Sequence, residues 1–190
     1  MSSGHKNFLA MSKTKHIACL LSLFRRHGYD GATLAKISEA TGLGKASLYH
    51  HFPEGKDEMV KTVLDSLQVF MEEQIQETLD GEGDPLAKFE KMCDRLSEVY
   101  VNGEQPCLFA ILLMGSARDI FHDEIKTIFQ NWINAMTRVL QEAGLDPKLA
   151  RERAEDTCIA IQGALILTQG LDDTRIFQRV IQELPQKICS

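Results

Sequence analysis

Residues 33–56 read TLAKISEATGLGKASLYHHFPEGK, and this stretch decides the fold. Thr33 is a good N-cap for a short helix starting at Leu34, because its side-chain oxygen accepts from an N–H of the first turn. Leu34 and Ile37 face inward, Gly42 ends the helix, and Leu43 plugs the turn. A second short helix covers 45–52, with Leu48 and Phe52 four residues apart on one face. That leaves Lys45, Ala46, Ser47, Tyr49 and His50 for the outer faces. Pro53 and Gly55 then break the chain before another helix begins near Lys56. Upstream, Ile17, Leu20, Leu21 and Phe24 recur at helical spacing. Lys13, Lys15, Arg25 and Arg26 lie around that stripe, and Gly28 is its stop.

A helix, a tight Gly turn and a second short helix form the helix-turn-helix pattern. Such a second helix enters the major groove of DNA with its N-terminal residues near the base edges. Small Ala46 and Ser47 allow close approach. Tyr49 donates to phosphate, and Lys45 and Lys56 neutralise phosphates. The candidate DNA-contacting set is therefore Thr33, Lys45, Ala46, Ser47, Tyr49, His50 and Lys56. His50 and His51 are adjacent on a helix and point in different directions, which favours DNA contact over metal binding.

Phe24, the Gly28-Tyr29 pair, Thr33, Ile37, Gly42, Leu43, Leu48, Tyr49, Phe52 and Lys56 together resemble the DNA-binding domain of the TetR/AcrR family of transcriptional regulators. The string SLYHHFP is the most specific part. FPEGK, with Gly before the Lys, is similar to the LmrA/YxaF-type subgroup. Gly44 departs from the pattern, since many members carry Ser or Thr at this N-cap, and Gly is a weaker cap. The resemblance covers about a quarter of the chain.

Net charge is −6 over 190 residues, which at first sight disfavours nucleic acid. Its distribution reverses that reading. Residues 1–61 carry nine Lys/Arg and five Asp/Glu, a net +4, which leaves −10 for the remainder. A basic end approaches DNA while an acidic body stays clear of it. Hydrophobic content of 44% and charged content of 25% are ordinary for a soluble globular protein. No run approaches the roughly 18 apolar residues of a membrane helix. MSSGH at the start has no apolar signal core, so a cytoplasmic location is the default.

The body is laid out by its breaks. One long helix runs from Lys56 to about Asp80, spanning about 36 Å. GEGD at 81–84 is a loop. Asp84-Pro85 is a strong helix start, and Asn102-Gly103 is a stop. Pro106 opens CLFAILLMGSA, which reads as almost fully buried. Further helices cover about His122 to Ala143, Asp146-Pro147 to about Gln169, and Asp173 to Glu183. From Cys158 to Leu167 the chain is apolar on nearly all sides, with Ala160, Gly163 and Ala164 among larger residues. A helix apolar all round is buried all round. In the family this chain resembles, the last two long helices pair with their symmetry mates, which implies a homodimer. The middle helices would then enclose a small-molecule effector. Phe89, Met92, Tyr100, Phe109, Leu112, Met114, Trp132 and Met136 are the residues to follow, with Trp132 foremost because a buried indole N–H needs a partner.

Other chemistries find little support. The five cysteines are odd in number and far apart, without the spacing of a zinc site. Reduced thiols are the default, and Cys107 beside Pro106 is the candidate redox sensor. No arrangement of acidic and His residues forms a catalytic constellation, and no cofactor is expected. The expected architecture is all-α with about nine helices. A three-helix helix-turn-helix domain at 1–55 precedes a helical ligand-binding and dimerisation domain at 56–190. The expected function is a dimeric repressor of a palindromic double-stranded operator, released by an apolar or aromatic effector. The alternative is a helical small-molecule-binding protein without operator binding.

Overall fold

The computed structural model describes residues 3–190, with side chains from His16 onward. Met1 and Ser2, and the side chains of Lys13 and Lys15, lie outside the described residues. No strand occurs among the described residues. The helices are α1 (Ser3–Gly31), α2 (Leu34–Thr41), α3 (Lys45–His51), α4 (Lys56–Phe70), α5 (Glu77–Asp80), α6 (Pro85–Val99), α7 (Leu108–Met114), α8 (Arg118–Glu142), α9 (Pro147–Leu171) and α10 (Arg175–Cys189). A π-helical segment, Met71–Gln76, lies between α4 and α5, so residues 56–80 are helical throughout, as the sequence predicts.

The chain forms two compact units, one of Met1–Gln68 with Leu108–His122 and one of Val69–Cys107 with Asp123–Ser190. In the first, Leu20, Phe24, Ile37, Leu48, Phe52, Met59 and Val60 form the core. Gly28 interrupts α1 with φ 65 and ψ −176, so the predicted stop appears as a break inside a longer helical run. The turn between α2 and α3 is held locally. Gly42 takes φ 69, where a Cβ costs energy. Ser38 Oγ donates to the Leu43 carbonyl at 2.6 Å, and Thr41 Oγ1 donates to the Ile37 carbonyl at 2.7 Å. Segment 108–122 joins this unit through small and aromatic contacts. Ile111 Cγ2 lies 3.6 Å from where a Gly28 Cβ would stand. Ser116 Oγ donates to Asp30 at 2.6 Å, and Phe121 meets Tyr29 edge to face.

In the second unit, two Asp-Pro starts work as predicted. Asp84 accepts from the Leu86 and Ala87 N–H groups, and Asp146 from those of Lys148 and Leu149. Each satisfies first-turn donors that the helix itself leaves open. Helix α10, with buried Phe177, Ile181 and Leu184, packs against α6, with buried Phe89, Met92 and Leu96, and against α9, with buried Ile161 and Leu165. Ile125, Ile128, Trp132, Ala135, Met136, Val139 and Leu140 are buried on α8.

Two burial expectations are corrected. Met114, at the end of the segment read as almost fully buried, is 83% exposed, because α7 buries only its Leu108, Phe109 and Leu112 side. Likewise α9 is not covered all round by its own chain. Ile159, Ile166, Leu167 and Leu171 stand exposed, since α10 and the 3₁₀ turn at Val101–Gly103 pack on part of its circumference only.

Candidate nucleic-acid interface

Helix α3 is anchored by two side chains. Leu48 is 1% exposed and Phe52 is fully buried. With these turned inward, Lys45, Ala46, Ser47, Tyr49 and His50 all face solvent. Lys45 and Tyr49 share one flank at the four-residue spacing, Ala46 and His50 lie beside them, and Ser47 forms the far flank. Gly44 caps α3 with extended backbone and no side-chain hydrogen bond. The first N–H groups of α3 therefore carry no side-chain cap, and a helix start of this kind is attractive to phosphate oxygens. At the other end, His50 and His51 have ring centroids 5.5 Å apart, and His51 lies 6.2 Å from His16 of α1.

Thr33 caps α2 as predicted, its Oγ1 accepting from the Lys36 N–H at 3.4 Å, and it is exposed at the same time. Lys56 differs from the other candidates. Its Nζ donates to the Tyr29 carbonyl at 2.8 Å and sits 4.1 Å above the Tyr29 ring. The Tyr29 hydroxyl donates in turn to the Asp57 carboxylate. Burial first, and then this hydrogen bond, push the Tyr29 phenol up to about 12. Lys56 thus ties the start of α4 to the end of α1. Sequence reasoning missed the Tyr29–Lys56–Asp57 cluster, although the Gly28-Tyr29 pair and Lys56 were both singled out.

The effector candidates fall in different places. Phe89, Met92, Tyr100, Trp132 and Met136 are buried in the second unit, whereas Phe109 and Leu112 are buried in the first. Trp132 Nε1 does find a partner, donating to Met92 Sδ at 3.4 Å. A thioether is a weak acceptor. Tyr100 packs edge to face on Phe177 with centroids 5.9 Å apart. Its hydroxyl lies 3.6 Å from Cys107 Sγ. Cys107, the candidate redox sensor, is 4% exposed, so a diffusing oxidant has little access to it. Burial pushes the Cys93 and Cys158 thiols up to about 12, which keeps both protonated and unreactive.

A short helix with buried anchors and an exposed face of basic, small and aromatic residues, following a Gly turn, defines a helix-turn-helix DNA-binding protein. Comparison with known proteins agrees along most of the length. Residues 20–63 match the model of the bacterial regulatory proteins of the tetR family. Residues 85–183 match the C-terminal domain of LmrA/YxaF-like transcriptional regulators. The chain belongs to the TetR family, in its LmrA/YxaF-like branch, and is a transcriptional regulator rather than an enzyme. The HTH-type transcriptional regulator YxaF of Bacillus subtilis is 24% identical over 178 residues, 92% of this chain and 93% of that protein. The negative regulator IcaR of the biofilm operon icaADBC in Staphylococcus epidermidis is 37% identical over 60 residues, 32% of each chain. The crystal structure of a TetR-family regulator from Agrobacterium tumefaciens superimposes with a TM-score of 0.77 at 22% identity. It covers 95% of this chain and all of that one.

Proposed function

We propose that the protein is a repressor that binds a palindromic operator as a homodimer and is released by a small apolar or aromatic effector. The observation that carries this reading is the solvent face of α3, with Lys45, Ala46, Ser47, Tyr49 and His50 exposed around the Leu48 and Phe52 anchors. Lys45 and Tyr49 contact phosphates, Ser47 and His50 read bases, and Ala46 permits close approach. Thr33 and Lys56 frame this surface from α2 and α4. Residues 1–55 act as the DNA-binding domain and 56–190 as the ligand-binding and dimerisation domain.

Support for the dimer comes from α9. Ile159, Ile166, Leu167 and Leu171 are more than half exposed, and their spacing of seven, eight and twelve residues places them on one face. Gly163 and Gly170 lie among them with open space where a Cβ would stand. A contiguous apolar face with small residues suits close approach by the same face of a second copy. A dimer places two α3 helices to read half-sites about 34–36 Å apart. Support for the effector comes from Gln162, whose Oε1 and Nε2 are both screened from solvent without a hydrogen-bond partner. An unpaired buried amide costs stability, so an effector offering a donor or acceptor is favoured. The negative-regulator role named for IcaR is the basis for a repressor. No described helix is long and apolar enough to cross a membrane, consistent with a regulator working on DNA in the cytoplasm.

The test is binding to palindromic fragments from upstream of the protein's own gene, with salt titration and sedimentation of free and bound protein. Two protomers per palindrome and a steep fall in affinity with salt are expected. Absence of salt-dependent operator binding would leave the ligand-binding protein as the surviving alternative.

A further inference from the structure

In the first unit a groove of about 700 Å³ runs between α1 and α2. Its volume falls in the range of small-molecule sites. The two ends of the groove differ chemically. At one end the walls are small or apolar, with Ala18, Cys19 and Leu23 from α1 and Ala40 from α2. At the other end Arg26, His27 and Lys36 converge.

The cations at that end form no ion pair among the described residues. The Lys36 ammonium lies 3.3 Å from His27 Nδ1 and donates to the Gly31 carbonyl at 3.2 Å, both neutral acceptors. Among the described residues no carboxylate pairs with Arg26 or Lys36. Burial first, and then Lys36 and Arg26, hold the His27 imidazole below its ordinary value, so it stays neutral near pH 7. Glu39 is the one acidic residue among the described residues of the lining. Among the described lining residues, Arg26 and Lys36 against Glu39 leave a single net positive charge, which matches a monoanion. A guanidinium grips a carboxylate with two parallel hydrogen bonds, and His27 has an imidazole to add.

We propose that this groove binds a small amphipathic carboxylate, an aliphatic or aromatic acid whose carboxylate sits on Arg26 and Lys36 and whose apolar part lies along Ala18, Leu23 and Ala40. The site belongs to the DNA-binding unit itself, apart from the effector residues of the second unit. It gives the head its own input from organic acids.

Cys19 is exposed and lines the apolar end, so it reports on occupancy. The experiment uses the full-length protein with octanoate, and octanol as the neutral match. The rate of Cys19 alkylation by iodoacetamide is resolved from that of half-buried Cys189 by mass spectrometry. Octanoate is expected to slow alkylation of Cys19 and to leave Cys189 unchanged, and octanol at the same concentration to protect neither. Arg26→Gln, at an exposed position, is expected to shift the protection midpoint about tenfold to weaker binding. Glu39→Gln, which removes the opposing charge, shifts it the other way. Equal protection by octanol, protection of Cys189 to the same degree, or an unchanged midpoint in Arg26→Gln overturns the proposal.

Discussion

Helices α3 and α9 both turn more toward solvent than a core helix does, for opposite reasons. Of the seven residues of α3, the exposed ones are basic, small or polar, and only Leu48 is buried within the helix. Over its 25 residues α9 leaves Ile159, Ile166, Leu167 and Leu171 in water. A polar exposed face costs nothing in isolation and becomes useful against a charged, hydrated partner. An apolar exposed face is costly in isolation, at about 25 cal/mol per Å² of apolar surface, and is relieved only by an apolar partner. The same chain thus carries one surface suited to nucleic acid and one suited to an apolar partner, its own copy on the proposed reading.

The largest effect is expected from removing the anchor of α3. Phe52→Ala at a fully buried position is expected to cost about 3–5 kcal/mol, seen in denaturant unfolding, with loss of operator binding. On α9, Ile166→Glu together with Leu167→Glu should weaken dimerisation on the order of a hundredfold. Sedimentation measures that, and intact secondary structure by circular dichroism shows the protomer still folded. An unchanged dimer would place the interface elsewhere.

Smaller changes sharpen the picture within the head. Lys45→Met should weaken operator binding about tenfold and lower the salt slope by about one. Lys56→Met should change the slope less, since its ammonium is held by the Tyr29 carbonyl and ring. Equal slope changes would make Lys56 an ordinary phosphate contact. Gly42→Ala, at φ 69, should cost about 1 kcal/mol of head stability. The smallest effect concerns pH. The Tyr29 phenol ionises at about 12 in the folded protein, against 10.0 for the ordinary group. The unfolded chain therefore loses this proton first as pH rises, and stability declines between pH 10 and 12. Tyr29→Phe should lack that alkaline loss in pH-dependent thermal unfolding.

Much of the head was legible because its signals are local. Thr33, Gly42, Leu48 and Phe52 act within a few residues of themselves, through a cap, a left-handed turn and a four-residue spacing. Asp84-Pro85 and Asp146-Pro147 were legible for the same reason. The failures concern partners distant in sequence. Periodicity marks α7 as apolar without saying against what, and the structure sets Ile111, Ser116 and Phe121 beside Gly28, Asp30 and Tyr29. The same ignorance of partners made Met114 read as buried.

By itself the sequence determined an all-α chain, the place of its helix-turn-helix and the residues that α3 turns outward, because helix spacing and capping are short-range chemistry. Only the tertiary structure decided that the Lys56 ammonium rests on Tyr29, that the Trp132 indole donates to Met92, and that Arg26 and Lys36 share a groove with Glu39 without pairing with it. Those outcomes depend on which helices meet, and a linear pattern carries the faces of helices without the pairing between them.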